Sequence, residues 1–207
     1  MKRVGNIYEK ITKKENIRKA IINASKGKKD RNGVRKILED VNFYVDEIYN
    51  IQNIIIENFE QEEKGYFLPF KKETYLRILN DPINDGEIYG TFIDNKMIAW
   101  IFLSVSNRMK ELKQMIPNLN GSCADIDGVV VLPKYRGYGL QKTLVKYLEE
   151  RAREKGISNI IAEVTFGNVY SLRNLKDLGY EEQTWYQKDK NIKRYILLKK
   201  LGETENG

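Results

Sequence analysis

Two aspartates, Asp125 and Asp127, stand two residues apart at the head of the apolar run Val129-Val130-Val131-Leu132. If that run is extended, both carboxylates project from one face of it. Burial there would raise the pKa of either one and make it a better base toward an amine. An amine must shed a proton before it can attack, its reference pKa being about 10. Directly after the run comes Pro133-Lys134-Tyr135-Arg136-Gly137-Tyr138-Gly139-Leu140. A glycine loop that enters a helix offers unpaired N–H groups and a partial positive charge. Its glycines let the backbone approach a phosphate closely. With Lys134 and Arg136 as fixed cations, the segment has the chemistry of a pyrophosphate seat. It lacks the Gly-Lys-Ser/Thr ending of a Walker loop and has only two of the three glycines of a dinucleotide fingerprint. Taken alone, it reads equally well as a turn into a helix.

The rest of the composition bounds the chemistry. The chain of 207 residues has no histidine. That excludes Ser-His-Asp and Cys-His nucleophiles and the common His-containing zinc sites; no metal is expected. Proton transfer falls to Asp, Glu, Tyr, Lys, Cys or water. The single cysteine, Cys123, excludes an internal disulfide and reads as a packing residue rather than an acyl carrier. Hydrophobic residues make up 41% of the chain, enough for a core and too many for global disorder. No apolar run approaches the ~20 residues that span a membrane, so no membrane partner is expected. Residues 1–6 lead into charged sequence without an apolar signal segment, and the expected location is the cytoplasm. The net charge of +7 is uneven, because residues 1–44 hold 13 Lys/Arg against 5 Asp/Glu. The basic character therefore belongs to the N-terminal segment, and the remainder is close to neutral.

The elements that must position these residues follow from periodicity. Ile17, Ile21 and Ala24 suggest a short helix, the basic stretch 27–33 a loop, and a second helix is expected to begin near Val34. Val45, Ile48, Tyr49, Ile55, Ile56 and Phe59 mark one face of a helix over 45–60. Residues 88–93 and 97–103 form a hairpin around Asp94-Asn95-Lys96. Residues 105–122 are a partly helical connection, and 126–132 is a third strand apolar enough to be central. Leu140, Leu144, Val145, Leu148 and Ala152 share a helix face that ends at Gly156. Residues 160–164 are a strand, Leu172, Leu175 and Leu178 define a short helix stopped by Gly179, and strands near 180–187 and 193–200 close the fold. The order strand–strand–strand–helix–strand–helix–strand–strand indicates a mixed α/β (α+β) layer fold.

Lys134-Tyr135-Arg136-Gly137-Tyr138-Gly139 resembles the Arg/Gln-x-x-Gly-x-Gly/Ala motif of the GNAT superfamily of acetyl-CoA-dependent N-acyltransferases. Asn168-Val169-Tyr170-Ser171, followed by Leu178-Gly179-Tyr180, resembles that family's second hallmark, one helix and one strand downstream. The likeness covers roughly residues 45–201 and implies a domain over 45–203. Its sheet would be mostly antiparallel and twisted, flanked by helices, with two central strands splayed apart, after a helical N-terminal extension over 1–44. The resemblance implies acetyl-CoA as co-substrate, with its pantetheine arm along Val129, Val130 and Val131. The pyrophosphate would lie on Arg136, Gly137, Tyr138, Gly139, Leu140 and Gln141 beside Lys134, and Asn168 and Ser171 would stand by the arm. Gly128 would supply the bulge that opens the splay, and a backbone N–H of residues 129–131 would polarise the thioester carbonyl.

Three positions depart from the family pattern: Lys134 in place of Arg/Gln, Gln141 in place of a small residue, and Leu175 where a tyrosine acid often stands. Tyr170 or solvent is left to protonate the thiolate. A carboxylate at a matching place in histone-type members of the superfamily points to Asp125 as the base, with Asp127 or water as alternatives. The implied activity is acetyl transfer to a primary amine of a small molecule or protein. A fold that binds CoA or a partner without turnover is the competing reading. Residues 1–11, 15–17 and 24–29 are similar to the opening segment of bacterial retroelement reverse transcriptases, but no Tyr-x-Asp-Asp motif follows anywhere. A nucleic-acid contact through residues 1–44, a homodimer and the identity of the acceptor amine stay open.

Overall fold

One sheet of seven strands organises the computed structural model, which describes residues 33–36, 41–60, 63, 65–94 and 96–202. In chain order the elements are β1 (Gly33–Lys36), α1 (Val41–Glu57), α2 (Lys72–Asn80), β2 (Gly86–Ile93), β3 (Lys96–Ser104), α3 (Asn107–Gln114) and β4 (Cys123–Val131). A 3-10 turn (Pro133–Tyr135) leads to α4 (Leu140–Glu154), β5 (Asn159–Thr165), α5 (Val169–Lys176), β6 (Glu181–Gln187) and β7 (Lys193–Lys200). The strands lie side by side as β1-β2-β3-β4-β5-β7-β6. Only β4 and β5 run parallel, and α4 supplies the crossover that a parallel pair needs.

Both faces of the sheet are covered, which is why β2 and β3 read as nearly continuous apolar runs. Val45, Ile48, Ile51 and Ile55 recur at helical spacing on α1 and pack with Tyr75 and Ile78 of α2 against Ile88, Trp100, Phe102 and Val130. On the other face Leu144, Val145, Leu148 and Ala152 of α4 pack on Tyr89, Ile101, Leu103, Ala124 and Ile126. Each such large apolar side chain contributes roughly 1.5–3 kcal/mol by leaving water. Cys123 is a buried packing residue beside Leu112, Ile161 and Leu198. No helix among the described residues is long and apolar enough to cross a membrane.

The helix expected to begin near Val34 is instead strand β1, paired antiparallel with β2 from Gly33↔Phe92 to Lys36↔Tyr89. The outer edge of β2 carries backbone groups that need partners, and that pairing outweighs local helical preference. The sheet thus draws in residues 33–36, and α1 starts at Val41, earlier than its apolar face suggests. The expected helix at Ile17, Ile21 and Ala24 and most of the basic loop lie outside the described residues.

The middle of the sheet comes apart in a defined place. Pairing of β4 with β5 runs from Cys123↔Asn159 to Ile126↔Ala162 and stops there, while β5 stays paired with β7 as far as Thr165. On its other side β4 pairs Ile126 with Leu103 and Val129 with Ile101. Asp127 and Gly128 therefore share the single opposite residue Phe102, a bulge that bends the strand. Gly128 has φ 144°, and a Cβ there would lie 3.1 Å from the Trp100 ring. Glycine is the residue that fits this bend.

Candidate active site

The parted strands open a cleft of about 910 Å³. One end reaches the starts of α4 and α5. The other is bounded by the α1–α2 connection, β5 and the β6–β7 hairpin.

The backbone of β4 divides its groups between β3 and this cleft. The Leu132 N–H donates to the Ile98 carbonyl at 3.0 Å. Antiparallel alternation then turns the main-chain groups of Val130 toward β3 and those of Val129 and Val131 toward the open side. The Val131 carbonyl accepts from Arg136 Nε at 3.4 Å. All three valines line the cleft, but only two of them aim their amides into it.

Gly137 and Gly139 both have left-handed φ, 80° and 77°. A Cβ on either would meet nothing within 4 Å. Their role is thus the turn itself and open access to the backbone. Gly139 caps α4 without a side chain, and the first helical bond there runs from Thr143 N–H to the Gly139 carbonyl. The amides of Leu140, Gln141 and Lys142 precede that bond and stand at the cleft. Arg136, Tyr138 and Lys142 line the same end, whereas Lys134 lies outside it, its ammonium 4.9 Å from the Tyr135 ring centroid.

Gln141 bridges the two helices. Its Nε2 donates to Ser171 Oγ at 2.9 Å, and its Oε1 accepts from Asn174 Nδ2 at 2.7 Å. Asn168 caps α5 by accepting from the Ser171 N–H at 3.2 Å. Asn174 is a member of this set that the sequence motifs do not include; its one signal is a place about a turn beyond Ser171 on the same helix. Tyr170 lines the cleft and is 80% exposed, while Leu175 is buried.

The two aspartates have different surroundings. Asp125 sits where β4 is still paired on both sides, opposite Ser104 and Ile161. It is 1% exposed, lies outside the cleft lining, and its Oδ1 has no hydrogen-bond partner among the described residues. Burial pushes its carboxyl well above the usual range, reinforced by Asp127 and Glu163. Asp127 sits two residues on, where the strands have parted, and lines the cleft. Burial raises it to about 6, opposed by the Arg108 charge and reinforced by Glu163.

Beside Asp127 lies a charged cluster that sequence reasoning missed. Glu163 of β5 accepts from Arg108 and from the Tyr186 hydroxyl, and Arg194 Nη1 lies 3.4 Å from it. Arg108 also donates to Tyr186 Oη at 2.8 Å. Burial alone would raise the Glu163 carboxyl, but the Tyr186 hydrogen bond and the charges of Arg108 and Arg194 hold it below its ordinary value. The phenol of Tyr186 is pushed up to about 12, by burial first and then by Glu163. The signal for Glu163 in the sequence is a lone charge inside an apolar strand. Its partners come from α3, β6 and β7, which no local pattern connects.

Residues 47–180 match the model of the Acetyltransferase (GNAT) family. No curated protein matches the chain. Among solved structures, the ribosomal-protein-S18-alanine N-acetyltransferase of Escherichia coli superposes with TM-score 0.60 at 16% identity, covering 85% of this chain and 98% of that one. An N-acetyltransferase of Staphylococcus aureus Mu50 gives TM-score 0.62 at 15% identity, covering 84% and 100%. The yncA protein of Salmonella typhimurium, solved with its cofactor acetyl-CoA, gives 0.62 at 14%, covering 85% and 97%. At these identities the likeness speaks to the fold.

Proposed function

The chain belongs to the acetyltransferase (GNAT) family, and from that membership we propose that it transfers the acetyl group of acetyl-CoA to a primary amine by direct attack. The observation that carries this reading is the continuous cleft. It joins two inward-facing strand amides, Val129 and Val131, to a helix start that no side chain caps. These are the donors that an amide-containing arm and a diphosphate need. Arg136 adds positive charge at the diphosphate end, where the Lys142 ammonium is paired with Asp177 at 2.5 Å. Gln141, Ser171 and Asn174 fix the two helices against each other, and Asn168 caps the second of them.

When bound, acetyl-CoA supplies an electrophilic thioester carbonyl. A strand amide at Val129 or Val131 donates to the oxygen on which charge develops. The amine nitrogen bonds to the acetyl carbon as the carbon–sulfur bond breaks. Asp127 takes the proton released from nitrogen, directly or through water, and Tyr170 or solvent returns one to the sulfur. The position of Asp127 in the cleft supports it as the base ahead of Asp125. A carboxyl raised to about 6 is still ionised at neutral pH and is a stronger base than an ordinary aspartate.

The competing reading, a CoA-binding module without turnover, draws on the buried Leu175, which offers no hydroxyl. Titration calorimetry with acetyl-CoA, followed by thiol release in the presence of an amine panel, separates the two. Gly137→Asp places a carboxylate at the diphosphate end, in open space. Gly137→Asn is its neutral control, since both side chains tolerate left-handed φ better than most. The aspartate should weaken acetyl-CoA binding by about 100-fold relative to the asparagine through charge repulsion. Equal affinity in the two variants would refute the seat.

A further inference from the structure

At the acceptor end of the cleft, cations and carboxylates are interleaved. Arg108, Lys188 and Arg194 all line it, together with Asp127 and Glu163. Glu163 is already engaged by Arg108, Tyr186 and Arg194. Glu63, which also lines the cleft, accepts from the Glu60 N–H. Among the described residues, the Lys188 ammonium makes no hydrogen bond or ion pair, and Arg194 keeps a buried Nε without a partner. Lys188 is therefore a half-buried cation without a direct partner, set among the guanidinium groups of Arg108 and Arg194 and the carboxylates of Glu163 and Asp127. Its pKa is pushed below the ordinary value, first by burial and then by Arg108 and Arg194 against the pull of Glu163 and Asp127. A simple alkylammonium would neutralise Asp127 and leave the Lys188 ammonium without a direct anionic partner, which is costly in a desolvated site.

Resting on the acetyltransferase reading above, we propose that the acceptor is a free amino acid. Its ammonium faces Asp127, and its carboxylate is received by Lys188 with the Arg194 guanidinium behind it. The same end of the cleft is walled by Phe59, Tyr66, Phe67 and Phe70. Phe67 reaches the bulge itself, 3.5 Å from where a Cβ on Gly128 would be. That wall suits an apolar or aromatic side chain on the amino acid. A peptide N-terminus has an amide where the carboxylate would be and leaves Lys188 unpaired. The proposal thus separates free amino acids from peptide acceptors. No new co-reactant is involved: the amine proton leaves as described and the carboxylate remains ionised throughout.

The test uses the full chain and three probes, L-phenylalanine, L-phenylalaninamide and phenethylamine. Each is titrated calorimetrically into the protein with CoA present, and each is assayed for acetyl-CoA-dependent thiol release. Phenylalanine should bind and react at least about tenfold better than the other two, the scale of one charge-assisted contact. Lys188→Met should collapse the acid-to-amide ratio to about one, and Lys188→Arg should restore it. The inference is overturned if the amide or the bare amine is preferred, if no probe binds to protein that does bind CoA, or if Lys188→Met retains the ratio. Failure of acetyl-CoA itself to bind would instead overturn the parent reading, and the calorimetric comparison distinguishes the two failures.

Discussion

The two halves of β4 share a strand, a sequence context and an acidic residue each, yet they do different things. In the half from Cys123 to Ile126 the strand keeps β5 as its partner, Asp125 and Ile126 are paired on both sides, and Asp125 is enclosed. In the half from Asp127 to Val131 the partner on one side is gone, and Asp127, Val129 and Val131 face a cleft. The change happens over the bulge at Asp127 and Gly128. A side chain's type and spacing decide which face it takes; whether that face is core or cleft is decided by where the neighbouring strand stops. The strand that loses its partner gains unpaired amides, which in a closed sheet would be consumed by the ladder.

The most severe break in this comparison should come from Asp127→Asn. It is expected to lower kcat/KM by about 10²–10⁴-fold, the range for loss of a positioned base. Asp125→Asn should cost far less, and steady-state kinetics showing equal losses would erase the distinction. Wild-type kcat/KM should fall on the acid side of about pH 6, where Asp127 becomes protonated, and that limb should vanish in Asp127→Asn.

Gly128→Val comes next. Left-handed φ and the 3.1 Å approach to Trp100 should cost about 1–3 kcal/mol in urea denaturation. Activity should fall further than stability alone explains if the bulge sets the splay.

Asp125→Asn should act on stability in the opposite direction. Its folded pKa is raised, so its favourable contribution is present below the unfolded carboxylate value of about 3.9 and is lost as pH rises through the folded value. Removing the charge should therefore raise Tm at pH 8 by more than at pH 4. A fall in Tm at pH 8 would show that the ionised carboxylate is needed there. The smallest effect is expected from Gln141→Ala. Losing the two helix-bridging hydrogen bonds, each worth about 1 kcal/mol, should weaken acetyl-CoA binding several-fold without abolishing it.

Features that depend on local periodicity are legible in the sequence. The β2–β3 hairpin, the glycine loop into α4 and the closing pair β6–β7 all lie within a few residues of their expected bounds. So is the bulge, because a glycine inside an apolar strand has few other uses. Strand β1 is not, because Gly33–Lys36 is a strand only by virtue of the β2 edge it meets. The Arg108–Glu163–Tyr186–Arg194 cluster is not, since its members are brought together by sheet order rather than by sequence spacing. Asp125 and Asp127 are legible as a pair but not as a contrast, because the end of the β4–β5 pairing has no mark in β4 itself. Lys134 fits the motif by position, yet its side chain turns to the Tyr135 ring.

Residue-resolved amide hydrogen exchange of β4 tests the central claim most directly. In the free protein Val129 and Val131 should exchange quickly and Val130 slowly, since of these three only Val130 turns its amide toward β3. Saturating acetyl-CoA should protect Val129 and Val131 and leave Val130 unchanged. Slow exchange at all three valines without ligand, or no added protection at Val129 and Val131 on binding, would contradict a thioester arm seated between parted strands.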